Sequence, residues 1–290
     1  MLWDYEFLKV LERLELVTRH KINTHYVGKK VNRKIGAGLE FAEHRPYYLG
    51  DDFRHLDWNV YSRLGQLVLK QFVEEQNSML MLLIDKSTSM GFGELSKLEF
   101  ACKLAGSLGF IALNNLDRVG VCSFANSVNS EIMVYQGKKH FPKLFESLTG
   151  IATGGITNFN QAMFDFCKLS KSRGLAIVFS DFFDPKGYQD GIRTLVASGW
   201  EVWAFQILEP TEIDVTVGSD FLLIDSETGE SKEVYVDKQV AEHYQQALYE
   251  FTEEMRRFCL GLGAYYLRVV STDPIENVIF STLRSERRVR

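Results

Sequence analysis

Met79-Leu-Met-Leu-Leu-Ile84-Asp85-Lys-Ser87-Thr-Ser89 is the stretch on which the fold turns. Six apolar side chains follow one another without alternation and stop at a carboxylate. A strand with one face in water alternates apolar and polar residues, whereas a strand covered on both faces reads as a short continuous apolar run. Arg118-Val-Gly-Val-Cys-Ser-Phe124 and Leu175-Ala-Ile-Val-Phe179 repeat the pattern, and the second again leads to a carboxylate, Asp181. Trp200-Glu-Val-Trp-Ala-Phe-Gln-Ile207 reads as a further strand and Glu131–Tyr135 as a shorter one. Lys97–Asn115, Lys139–Leu148, Asn160–Ser170 and Tyr188–Ser198 read as the helices between them. Strands alternating with helices make a parallel sheet covered on both faces. The fold expected is therefore α/β: a doubly wound, mostly parallel sheet flanked by helices.

On the N-terminal side, Trp3, Phe7, Val10, Leu14 and Val17 recur at helical spacing, so one amphipathic helix is expected over Leu2–Val17. A basic stretch with Lys29, Lys30, Arg33 and Lys34 reads as a solvated loop or strand rim. Residues 39–76, with turn signals at Pro46, Gly50 and Asp51-Asp52, read as irregular structure with short strands. On the C-terminal side, Phe221–Asp225 and Glu233–Asp237 flank Ser226-Glu-Thr-Gly229, which predicts a β-hairpin inserted at the sheet's edge, near 221–236. A long helix over Lys238–Leu260 and a last strand over Tyr265–Val270 follow. Asp273-Pro274 then starts a helix, and Arg284–Arg290 reads as a solvated basic tail. The expected organisation is an N-terminal helix and module (1–76), an α/β domain (77–272), and a C-terminal helix with its tail (273–290).

Composition excludes several classes. A net charge of −5 over 290 residues lacks the basic footprint of a nucleic-acid binder. Cys102, Cys122, Cys167 and Cys259 are dispersed and form no C-x-x-C pair, which speaks against a disulfide or zinc framework. The first residues lack a basic start and an apolar block, and no run reaches the roughly 18 apolar residues of a membrane span. A cytoplasmic protein is the expectation.

The chemistry gathers at strand ends. In open parallel sheets, ligands bind beyond the carboxyl ends of the strands. Asp85, Ser87 and Ser89 stand where the first buried run ends, and Asp181 where the third does. Thr157 follows Thr153-Gly-Gly-Ile in a turn before a helix, where glycines allow close backbone approach. Carboxylates and hydroxyls are hard oxygen donors of the kind Mg²⁺ takes, with Mn²⁺ or Ca²⁺ as alternatives. An ion held by two carboxylates and neutral hydroxyls keeps positive character and attracts an incoming carboxylate.

Asp85-x-Ser87-x-Ser89 followed by Thr157 and Asp181, each at a strand end, resembles the metal-ion-dependent adhesion site of von Willebrand factor A domains. Upstream, Gly36-Ala-Gly-Leu-Glu-Phe41, Arg45-Pro-Tyr-Tyr-Leu-Gly-Asp-Asp-Phe-Arg54 and Leu56-Asp-Trp58 through Arg63 resemble the signature of domain-of-unknown-function family 58, which joins such a module to an A-type domain. The resemblance implies Ser87, Ser89 and Thr157 as direct metal ligands and Asp85 and Asp181 as ligands acting largely through water. It also implies a protein partner that supplies a carboxylate, with a MoxR-type AAA+ ATPase as one candidate. Lys86, a cation beside the metal, fits only if it points away.

Plainer readings stand beside these. Asp and Ser are good caps, so the Asp85–Ser89 turn could be a capped strand–helix junction, and Thr157 alone an ordinary helix N-cap. Asp51, Asp52, Arg54, Asp57, Trp58 and Arg63 read as an ion-pair and packing network holding the front module to the domain rather than as a recognition surface. The alternative function is a metal-dependent, phosphatase-like hydrolase using Asp85. Enzymes of that kind carry a second Asp two residues on for proton transfer, and Ser87 stands there instead. No G-x-S-x-G elbow or phosphate-binding glycine loop occurs. The expectation is a binding protein and not an enzyme.

Overall fold

The structure is a computed structural model, and it describes residues 5–18, 39–49, 51–74, 78–93, 96–128, 132–170, 172–215, 218–224 and 231–290. The chain divides into two compact units, Lys21–Asn77 and a larger one that joins Met1–His20 to Ser78–Arg290. The N-terminal helix, α1 (Tyr5–Leu11), thus belongs with the α/β unit and not with the module that follows it in sequence. It is also shorter than the stripe predicts. Leu14, Leu16 and Thr18 are buried in alternation, a strand's period, and Leu16 forms an antiparallel bridge with Val289.

In the smaller unit, β1 (Leu39–Pro46) pairs antiparallel with β2 (Val68–Glu74), with an irregularity between Phe41 and Glu43. Between them lies α2 (Trp58–Leu64), whose first N–H groups, of Asn59 and Val60, are accepted by Asp57. Asp57 also lies 2.9 Å from His44 Nε2. Asp51 accepts from Arg45 and from the Tyr48 N–H, and Asp52 pairs with Arg54. Of the residues read as a network, Asp51, Asp52, Arg54 and Asp57 make local pairs inside this unit. Gly36-Ala-Gly and the basic stretch 29–34 lie outside the described residues.

The larger unit is built on a six-stranded sheet. At its centre β3 (Met79–Asp85) lies between β4 (Arg118–Phe124) and β6 (Gly174–Ser180), parallel to both. β5 (Met133–Gln136) closes one side antiparallel to β4, while β7 (Glu201–Leu208) and β10 (Tyr265–Val270) extend the other side in parallel. Successive β3 side chains enter opposite cores. Leu80, Leu82 and Ile84 pack with α3 (Lys97–Asn114) and α4 (Phe141–Thr149). Met79, Met81 and Leu83 pack with α5 (Phe159–Leu169), α6 (Gln189–Ala197) and Met255 and Cys259 of the long helix over Lys238–Gly261. Two cores on one strand are why the run reads as unbroken, and burying each such side chain contributes about 1.5–3 kcal/mol. Gly174 starts β6 where a Cβ would stand 2.1 Å from the Met79 carbonyl oxygen.

After β7 come the short helix α7 (Pro210–Ile213), the hairpin β8 (Ser219–Ile224) and β9 (Ser231–Val236), and α8 (Lys238–Gly261). The predicted hairpin exists, but it forms a two-stranded sheet of its own and is not an edge of the main sheet. Residues 277–283 run as a π-helix, and Asp273 accepts from the Val270 N–H behind it. The basic end is not a solvated tail. Val289 is buried, Arg290 pairs with Glu15, and the Arg288 guanidinium lies 4.6 Å from the Tyr265 ring centroid. Packing against aromatic faces suits a weakly hydrated guanidinium, which charge alone did not reveal. Among the described residues no helix is long and apolar enough to cross a membrane.

Candidate functional site

The carboxyl ends of β3, β6 and β7 form one rim of the sheet. At β3, Asp85 is fully enclosed: one carboxylate oxygen accepts the Ser87 N–H at 2.9 Å and the other the Ser180 hydroxyl at 2.6 Å. This turns the chain after the strand and brings the Ser87 and Ser89 hydroxyl oxygens to 3.1 Å from each other. Ser87 precedes the 3-10 turn Thr88–Gly91 without a side-chain capping bond.

The loop that leads to Thr157 is sewn to the first one. The Gly154 N–H donates to the Lys86 carbonyl and the Thr88 N–H to the Gly155 carbonyl. Gly155, at φ +95°, takes a backbone conformation that L side chains rarely adopt. The helix-cap role falls to Asn158, whose side chain accepts the Gln161 N–H, so Thr157 is not the N-cap of α5. Thr157 itself is buried.

Asp181 follows β6. One carboxylate oxygen accepts the Phe183 N–H, and the other takes a bond of 2.8 Å from the Lys97 ammonium. Phe182 between them holds φ +60°, an uncommon conformation for a bulky residue. Phe182 N–H donates to Ser180, and its ring packs against Phe159 and Tyr188. The loop is fixed further by Asp184, which accepts the Phe159 N–H at 2.7 Å.

Burial, together with the charge of Asp181, pushes the Asp85 carboxyl up to about 7, although the Ser180 and Ser87 bonds oppose the shift. A cation placed between these carboxylates would relieve that repulsion. The donors present fit a hard divalent ion. Octahedral bonds of about 2.1 Å place neighbouring donor atoms about 3.0 Å apart, close to the Ser87–Ser89 hydroxyl spacing. Among the described residues, no three His, Cys, Asp or Glu side chains converge as a metal site, so hydroxyls must supply part of any shell.

Lys97 and Glu212 escaped the sequence reading. Lys97, in the first turn of α3, has a side chain wholly removed from solvent, and its ammonium also bonds Glu212 of α7 at 2.6 Å. Burial pulls the ammonium's pKa down, but Asp181 and Glu212 outweigh it and hold the pKa above the usual lysine value. The other Glu212 oxygen accepts the Glu209 N–H in a capping box, and Tyr244 of α8 donates to the Glu212 carbonyl. Lys86, the cation that adjacency to Asp85 singled out, is tied by its backbone to Phe124 and Gly154.

Residues 43–254 match the family described as protein of unknown function DUF58. The chain belongs to that family. The match takes in the module from Glu43 onward and every rim residue from Asp85 to Glu212. Among relatives of this DUF58 chain, the uncharacterised protein Rv1480 of Mycobacterium tuberculosis is 24% identical over 266 residues, 90% of this chain and 84% of the relative. The uncharacterised protein YeaD of Bacillus subtilis is 29% identical over 107 residues, 37% of this chain and 25% of the relative. Among solved structures, BatB from Bacteroides thetaiotaomicron aligns with 72% of the DUF58 chain and 98% of its own at 13% identity and a TM-score of 0.44. The von Willebrand factor type A protein of Catenulispora acidiphila aligns with 73% of this chain and 42% of its own, at 10% identity and a TM-score of 0.42.

Proposed function

We propose that this protein is a metal-dependent interaction module in which Asp85, Ser87, Ser89, Thr157 and Asp181 hold a divalent ion, Mg²⁺ foremost, that receives a carboxylate from a partner protein. The observation that carries the reading is the Ser87–Ser89 hydroxyl pair, 3.1 Å apart, beside the enclosed Asp85. Serine hydroxyls facing each other next to a carboxylate in a buried turn make a hard-oxygen edge of octahedral size. The resemblance to the adhesion site and to family 58 gives the same residues and implies a MoxR-type AAA+ ATPase as one candidate partner. The proposal is binding and not turnover. The residue two positions after Asp85, where a phosphatase of the Asp-nucleophile type carries its proton-transfer group, is Ser87, whose hydroxyl is engaged with Ser89.

The test is Mg²⁺ titration by calorimetry of the wild type and of Ser87→Ala, followed by partner capture with and without chelator. Saturable binding in the wild type, lost in Ser87→Ala with the fold retained, is expected. A folded wild type that binds neither Mg²⁺ nor Mn²⁺, or capture of the ATPase undiminished by chelator, overturns the reading.

A further inference from the structure

A lysine ammonium shielded from water seldom stands beside a metal site, because its charge opposes the metal's. Here one does. Lys97 Nζ is 2.8 Å from Asp181 and 2.6 Å from Glu212, and its side chain has no exposure. It is not placed there by a helix preference, since the first turn of α3 carries the positive end of the helix dipole and disfavours a cation. The two carboxylates hold it against that field. Lys86, next to Asp85 in sequence, fastens the two rim loops through its backbone carbonyl, which accepts the Gly154 N–H.

From this we infer that Lys97 is a tethered cation that sets how tightly the rim holds a divalent ion. The inference rests on the metal reading above and adds a residue that the adhesion-site pattern does not contain. Asp85 and Asp181 alone would present two buried negative charges to the ion. With Lys97 bonded to Asp181, one of them is already neutralised, so the ion meets less negative charge than the two carboxylates alone would present. Lys97 therefore weakens the hold on the ion and leaves it more electropositive towards an incoming carboxylate. Glu212 steadies the ammonium from the far side, and its own second oxygen is fixed by the Glu209 N–H. The ammonium thus has a built seat and cannot follow the ion out into solvent.

The experiment is Mg²⁺ calorimetry on the full chain for the wild type, Lys97→Met, Lys97→Arg and Lys97→Met/Glu212→Gln. Lys97→Met is expected to tighten the dissociation constant about tenfold, by freeing the Asp181 carboxylate of its counter-ion, and Lys97→Arg is expected to stay near the wild type. Where Lys97→Met does not fold, the double variant carries the measurement. It removes one charge of each sign, and tightening is expected again because Asp181 loses its nearer counter-ion. Unchanged or weaker binding in a folded Lys97→Met or double variant, with the wild type binding, overturns the inference and leaves the metal reading standing. Absence of Mg²⁺ binding in every protein, the wild type included, overturns both.

Discussion

Acidic and basic residues are paired in both units of the chain, with opposite consequences. In the smaller unit, Arg54–Asp52 and Arg45–Asp51 are short-range pairs in contact with water. Such pairs gain little, because solvent and salt screen them and two long side chains must be held still. In the larger unit, Lys97, Asp181 and Glu212 pair across 84 and 115 residues of sequence, with the ammonium wholly enclosed. Removing one partner there strands a charge that water cannot reach. The same residue types are thus interchangeable decoration in one place and a structural commitment in the other, and enclosure decides which.

The sharpest way to break this comparison is Lys97→Met in metal-free protein. It should cost about 3–5 kcal/mol in denaturant unfolding, as for other buried pairs that lose one member, and Lys97→Met/Glu212→Gln should recover part of that loss. A cost no larger than that of a surface substitution would show that water enters the rim.

Asp85→Asn should act in the other direction when chelator is present. The folded-state value of about 7 lies above the ordinary carboxylate value, so the folded protein keeps this proton longer than the unfolded chain does. Stability contributed by Asp85 is therefore greatest at low pH and declines as pH rises towards 7. The neutral Asn should stabilise the metal-free protein by about 2 kcal/mol at pH 8, a discount on the full shift, and by nothing near pH 4. A gain independent of pH would place its cause in packing and not in charge. At the small end, Arg54→Ala should leave the melting temperature unmoved, because its pair with Asp52 is open to solvent.

The sheet was legible because β3, β4, β6 and β7 are covered on both faces and so spell themselves as predominantly apolar runs, unbroken in β3. Strand ends then located Asp85 and Asp181, since a parallel sheet opens its ligand rim there. Glu212 was open to the same rule, four residues beyond the buried Leu208. The interruption of the strand–helix rhythm after that point hid it. Lys97 carried no local signal: a lysine at a helix start reads as solvated, and only contacts with residues 84 and 115 positions away enclose it. Leu14 and Leu16 misread as helix for a related reason. Their partner segment, around Val289, lies at the far end of the chain. The basic end was misread likewise, since Arg288 and Arg290 find their aromatic and acidic partners only in three dimensions.

That pairing of residues 15–17 with 288–290 has a mechanical meaning. Glu15 and Arg290 exchange backbone hydrogen bonds in an antiparallel arrangement, and Leu16 and Val289 sit next to each other behind them. A pull applied between Glu15 and Arg290 therefore loads this clasp bond by bond, as a zip is loaded, while the central strands would have to slide past one another together. Tension entering at those two residues should open the clasp at low force, before the sheet that carries the rim yields.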